Sequence, residues 1–253
     1  MGAAGTSTGR IAQPRPGPEG ESVYPWSDLA LRAPLQARNS VEIHLFRHGE
    51  SEANAQGLIT GQLDSGLTEC GRTQASALGA ALRKRYDYAW SSHLKRSIET
   101  LDLAMATAGA SCSGRHIDRR LSERSLGVWE GQKRRVVPQY AQGSLSFAPP
   151  QGESYLRLTQ RILSFLVDLA RFSHEVDRPL TVLVSTHAGP LRVFYAILQR
   201  IPEPREVLSL EFGHCQPVVL TLSRLDWPPF VQKGAWLDEP GLLSPEVSVH
   251  QAV

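Results

Sequence analysis

Residues 47–54 read Arg47-His48-Gly49-Glu50-Ser51-Glu52-Ala53-Asn54 and follow the strand-like run Val41-Glu42-Ile43-His44-Leu45-Phe46. A histidine at the end of a strand stands where open α/β sheets bind ligands. Its imidazole can act as a nucleophile, and the neighbouring guanidinium can hold an anion through forked, charge-assisted hydrogen bonds. An isolated Arg-His-Gly triplet is more often a polar surface turn. Four further stretches, each in its place downstream, change that balance.

The first is Leu58-Ile59-Thr60-Gly61-Gln62-Leu63-Asp64-Ser65-Gly66-Leu67-Thr68-Glu69-Cys70-Gly71-Arg72-Thr73-Gln74-Ala75. Then come Ser91-Ser92-His93-Leu94-Lys95-Arg96-Ser97 and Leu121-Ser122-Glu123-Arg124-Ser125-Leu126-Gly127-Val128-Trp129-Glu130-Gly131. The last is Ser185-Thr186-His187-Ala188-Gly189. In this order, over about residues 41–223, the five stretches resemble the signature motifs of the histidine phosphatase superfamily, also called phosphoglycerate mutase-like.

The resemblance implies a role for each matching residue. His48 would be the nucleophile, kept neutral by nearby cations, with its other ring nitrogen on a backbone carbonyl. Arg47 and Arg96 would clamp the phosphoryl oxygens. His187, if protonated, would add a third positive donor. Asn54 and Thr60 would give neutral hydrogen bonds, and Gly61 would let the backbone approach the anion. Glu123 would protonate the leaving alkoxide and then activate the water that cleaves the phosphohistidine. The acid phosphatase branch places its acid directly after the second histidine. Here that position is Ala188, expected to touch substrate without supplying a proton. No metal and no cofactor is expected, because the arginines supply the positive charge. His44, His93, His116, His174, His214 and His250 share no ligand spacing and read as structural or surface groups.

Three activities compete on this pattern. The mutase branch would carry a longer basic cap and a His-Tyr-Gly triplet after the acid. This chain has Ser125-Leu126-Gly127 there, and only about 20 residues separate Gly131 from Gly152-Glu153-Ser154. That is closer to the phosphatase branches, such as the cobalamin-pathway and fructose-2,6-bisphosphatase types. A non-catalytic regulator would be expected to have lost one of Arg47, His48, Arg96, Glu123 or His187. Lys133, Arg134 and Arg135 could read a second anionic group or form a solvated face, and Trp129 could pack under a cap or stack on a substrate ring.

The chain has 253 residues and a formal charge of +2, so no broad field for nucleic acid or membrane is implied. The expected partner is a small phosphoester, and a homodimer is compatible with the sequence. Three cysteines, Cys70, Cys112 and Cys215, fit neither a zinc pattern nor a disulfide framework. With no apolar stretch of membrane-spanning length, the reading is a cytoplasmic protein. Residues 1–38 read as an irregular arm in which Val23-Tyr24-Pro25-Trp26 could dock. Residues 39–225 form the domain, and the Pro-rich residues 226–253 a tail.

Periodicity predicts strands over 41–46, 86–91, 180–185 and 217–222. It predicts helices over 72–85, 93–108 with Ser92 as N-cap, 153–174 and 190–199. Alternating strands and helices imply an α/β fold of three layers. A mainly parallel central sheet would be flanked by helices, with a small cap over the carboxyl ends of the strands.

Overall fold

The computed structural model describes residues 34–137, 144–226 and 228–232. Five strands form one sheet: β1 (Leu35–Arg47), β2 (Arg85–Ser91), β3 (Ser111–Ile117), β4 (Leu180–Thr186) and β5 (Pro217–Leu225). Their order is β3-β2-β4-β1-β5, all parallel except β5, which runs antiparallel to β1. The expected three-layer α/β architecture is thus present.

Strand alternation explains the layers. Side chains at i and i+2 share a face of a sheet. Val41, Ile43 and Leu45 of β1 and Val182 and Val184 of β4 enter one buried cluster. Phe46 and Leu183 enter the other. The first cluster is closed by α4 (Tyr155–Phe172) and α5 (Ala188–Leu198), the second by α2 (Glu69–Gly79) and α3 (Lys95–Ala108). In α4 the apolar stripe Leu158, Ile162, Phe165 and Leu169 is buried, and Ser154 caps the helix by accepting the Arg157 N–H at 3.1 Å. Strand β4 has parallel neighbours on both sides and is buried along most of its length, as its β-branched run predicts.

Several boundaries differ from the sequence expectation. β1 begins at Leu35, inside the expected arm, because Leu35 and Gln36 pair with Leu225 and Arg224 of a correspondingly longer β5. α2 starts at Glu69, where Thr68 accepts the Gly71 N–H at 2.9 Å. It stops at Gly79, although Leu82 beyond it is still buried. α3 starts at Lys95, and its N-cap position is Leu94, so Ser92 is not the cap. β3 and the short helix α6 (Pro204–Ser209) were not foreseen. Helix α7 (Pro229–Gln232) falls in the expected tail, yet Phe230 and Val231 join the main core. The Val23–Trp26 stretch lies outside the described residues. Among the described residues, no helix is long and apolar enough to cross a membrane.

Candidate active site

Strand register fixes the first two groups. Arg47 is the last residue of β1 and pairs with Thr186 of β4, and the His48 N–H donates to the Thr186 carbonyl at 3.0 Å. His48 and His187 therefore leave adjacent parallel strands at the same height, and their ring centroids lie 5.0 Å apart. Behind His48 the chain crosses itself closely. A Cβ on Gly49 would sit 2.5 Å from the Gly71 carbonyl oxygen, and one on Gly71 would sit 2.0 Å from that of Glu50. Both motif glycines are required by this backbone contact.

The His48 ring is oriented at both nitrogens. Nδ1 lies 2.7 Å from the Gly49 carbonyl oxygen, which can only accept, so Nδ1 carries the hydrogen. Nε2 then holds the lone pair and accepts from Arg96 Nε at 3.2 Å. Burial, then Arg96, then Arg47 hold the imidazole well below its ordinary pKa, against the opposing pull of the Gly49 carbonyl. A neutral imidazole with a fixed tautomer and an outward lone pair is what nucleophilic attack requires.

Arg96 is fully buried and held by backbone. Its Nη1 donates to the Leu63 carbonyl and its Nη2 to the Gly61 carbonyl, each at 2.8 Å. The 60–63 turn thus aims the guanidinium. The turn is closed by the Leu63 N–H on the Thr60 carbonyl at 2.7 Å. Gly61 has φ +45°, and a Cβ there would lie 2.2 Å from Glu130 Oε1. The glycine is demanded by this carboxylate and by its backbone angle, a reason different from the anion approach expected.

Glu130 is a hub. Its Oε1 accepts the N–H of Gln62 at 3.0 Å and of Leu126 at 2.8 Å. It thereby fastens the turn that holds Arg96 to the loop that carries Glu123. Gln62 Nε2 adds a bond to the Glu123 carbonyl at 3.2 Å. From the other side, Arg161 forks onto Glu153 at 2.7 and 2.8 Å and donates to the carbonyls of Arg120 and Glu123. The Glu123 carboxylate accepts from Arg124 N at 2.8 Å and from Gly189 N, in the first turn of α5, at 3.1 Å. It is therefore held beside His187.

His187 is fully buried, with Nε2 2.7 Å from Ser92 Oγ. Burial, then Arg96, then His48 push its pKa well below the ordinary value. That direction favours the neutral ring, so the condition set for a third positive donor, a protonated His187, is opposed by its surroundings. Arg47 donates from Nη1 to the Phe212 carbonyl at 3.0 Å, and its charge acts on both His48 and His187.

Asn54 accepts through Oδ1 from the N–H and hydroxyl of Ser51 as a capping box on α1 (Glu52–Ala55), so its carbonyl end serves the helix and Nδ2 is the donor left for a ligand. Ala188 opens α5 next to His187. Lys133 turns away onto the Gln56 carbonyl at 2.7 Å, whereas Arg134 lies near enough to help depress His214. Trp129 stacks on Phe147 and packs, partly buried, against the cluster of Ile59, Leu126 and Val137.

His214, read from sequence as a structural or surface group, lies against the centre. Its Nδ1 is 2.7 Å from the His48 carbonyl oxygen, and its ring is 5.4 Å from that of His48. No spacing in the sequence signals it, because a bridge between residues 47 and 214 brings it there. Glu130 and Glu153 were visible within motifs, but their partners were not. Among the described residues, no group of three or more His, Cys, Asp or Glu side chains could hold a metal ion.

The arrangement combines a buried imidazole of fixed tautomer, a buried guanidinium on its lone pair, a second and partly exposed guanidinium acting on it, and a carboxyl group nearby. These are the parts of in-line phosphoryl transfer.

Comparison with known proteins agrees. Residues 43–227 match the model of the histidine phosphatase superfamily (branch 1). A 2,3-bisphosphoglycerate-dependent phosphoglycerate mutase from Bartonella henselae is 31% identical over 190 residues, which cover 71% of this chain and 91% of the mutase. Among solved structures, one described as mycobacterial hydrolase 1 is 27% identical with a TM-score of 0.63, covering 75% of this chain and 99% of that one. The vanadate complex of a mycobacterial glucosyl-3-phosphoglycerate phosphatase is 28% identical with a TM-score of 0.61, covering 70% and 90% of the two chains.

Proposed function

Since the chain belongs to the histidine phosphatase superfamily, we propose that it is a metal-independent phosphomonoester hydrolase acting on a small phosphorylated metabolite through a phosphohistidine at His48. His48 Nε2 attacks phosphorus, and the leaving oxygen takes a proton from the Glu123 carboxyl. Glu123 then withdraws a proton from the water that splits the phosphohistidine, which returns both groups to their starting states. Arg47, Arg96 and the His187 ring hold the charge on the transferred group. The proposal extends to Asn54, Thr60, Gly61 and Ala188 as the residues lining the substrate pocket.

The observation that carries hydrolysis is the stretch after the acid. Ser125 is tied by backbone to Glu153, and Leu126 is buried against Ile59 and Val137. This stretch thus braces the fold and sets no His-Tyr pair over the substrate. The mycobacterial phosphatase likeness supports the same reading.

Mutase chemistry is the second reading, favoured by the names of the sequence relatives. Cap length separates the two less cleanly than the sequence suggested. A 190-residue match taking in 91% of the mutase leaves it little room for a long extra insertion.

One assay decides. The protein receives 3-phosphoglycerate with catalytic 2,3-bisphosphoglycerate, and separately a panel of sugar phosphates, nucleotides and phosphoglycerates. Free phosphate from at least one ester with little 2-phosphoglycerate is the expected result. Rapid isomer formation with almost no phosphate would make it a mutase.

A further inference from the structure

We infer that Ser92 is a positioning residue that fixes His187 as the tautomer with hydrogen on Nδ1, so that the buried ring offers a neutral N–H to a phosphoryl oxygen. The argument is a count of hydrogens in a closed space. Ser92 and His187 are both fully buried. Ser92 Oγ accepts the Leu94 N–H at 3.3 Å and lies 2.7 Å from His187 Nε2. A hydroxyl has one hydrogen to give. No third partner for it is found among the described residues.

Two arrangements are open to a neutral ring. With hydrogen on Nε2, His187 would donate to Ser92, and the serine's own hydrogen would be buried with nothing to bind, a costly orphan. With hydrogen on Nδ1, donation runs in one direction, from Leu94 to Ser92 to His187, and each group along it is satisfied. The one open position is then Nδ1, which is buried without a partner among the described residues. Its ring faces His48 at 5.0 Å between centroids. An N–H there meets a phosphoryl oxygen, whereas a bare lone pair would repel the dianion.

Ser92 is free for this task because Leu94, not Ser92, occupies the N-cap position of α3. The depressed pKa of His187 agrees with a neutral donor. The functional half of the inference rests on the reading of this pocket as a phosphoryl site. The tautomer does not.

The test has two arms. In histidine-labelled resting protein, two-bond nitrogen–proton NMR reads the tautomer, with the His187 signals assigned by their loss in His187→Gln. Wild type and Ser92→Thr should show a protonated Nδ1 and a bare Nε2, and Ser92→Ala should lose that preference while keeping a native amide spectrum. A wild-type ring protonated at Nε2, or an unchanged tautomer in Ser92→Ala, overturns the assignment. The second arm titrates orthovanadate, so no ester need be known. Ser92→Ala should bind it about tenfold more weakly and Ser92→Thr nearly as well as wild type. Equal vanadate affinity in wild type and Ser92→Ala overturns the functional half. Failure of wild type itself to bind vanadate counts against the phosphoryl site, and the spectra still decide the tautomer.

Discussion

Arg96 donates from Nε to the lone pair of His48 Nε2 at 3.2 Å, so the anion clamp rests on the atom proposed to attack. An entering phosphoryl group can take over that N–H as it meets the nucleophile. The other two guanidinium nitrogens stay on the carbonyls of Gly61 and Leu63, and the cation need not be repositioned. A fixed dipole that costs no reorganisation is the form in which such stabilisation is largest.

A lysine at this position has one nitrogen for three partners. Arg96→Lys is expected to lower kcat/KM by about 10² or more. It also leaves at least one buried carbonyl without a donor, at a cost of about 1–3 kcal/mol. Steady-state kinetics with thermal unfolding measures both. Activity within a few-fold of wild type would remove Arg96 from the clamp.

Glu123→Gln keeps an acceptor for the N–H groups of Arg124 and Gly189 but has no proton to give. Turnover of alkyl phosphates should fall by about 10²–10⁴, and that of an aryl phosphate far less, since an aryl oxide leaves without protonation. Equal losses on both would take the acid role away from Glu123.

Gly61→Ala forces a side chain into the left-handed region and against Glu130. We expect a loss of about 1–3 kcal/mol in stability and a rise in KM. Glu130→Ala alone frees the N–H groups of Gln62 and Leu126. Combining the two removes the clash, so the double variant should lose less than the sum, with a coupling of about 0.5–3 kcal/mol. Strict additivity in denaturant titrations would show that the carboxylate does not press on the turn.

The depressed histidines set the acid response of stability. His48 and His187 lie well below the ordinary value, and His93, His116 and His214 are lowered as well, in each case chiefly by burial. Between a depressed folded pKa and the unfolded value of about 6.5, the unfolded chain binds more protons. Stability is therefore fully present above about pH 6.5 and is lost as pH falls below it. The lowered carboxylates Glu42 and Asp87 act only in a more acidic window, near the ordinary carboxylate pKa of about 4. The denaturation midpoint should drop between pH 7.5 and 5.5, with proton uptake on unfolding seen by calorimetry. A flat or rising midpoint on acidification would contradict the buried, neutral imidazoles.

How much of this was legible in the sequence follows from which forces act locally. β4 and α4 were readable because their burial is written in β-branched composition and in a 3.6-residue stripe. β3, Ser111–Ile117, was not. It is an edge strand of small and polar residues, ordered by pairing with β2 and not by an apolar pattern of its own. The gathering of Arg47, His48, Arg96, Glu123 and His187 could be anticipated from motif resemblance. Their partners could not, because Glu130 over Gly61, Arg161 under Glu123 and His214 beside His48 are contacts between distant segments. Ser92 shows the limit most clearly. Its position before a helix suggested a cap, and only the meeting of two buried side chains reveals its hydrogen-bonding task.

The two imidazoles of the site leave neighbouring strands at the same height, so their separation is metered by the backbone ladder, whose strand spacing is about 4.8 Å. Neither histidine depends on a loop for its height. An insertion between the strands changes the rim of the pocket and leaves the pair alone. A single-residue deletion within β1 or β4 would turn every side chain beyond it to the opposite face and break the pair outright. The histidine pair is thus tolerant of length change almost everywhere except along the two strands that carry it. Loops at the rim of the pocket can change in length while the distance between His48 and His187 is kept.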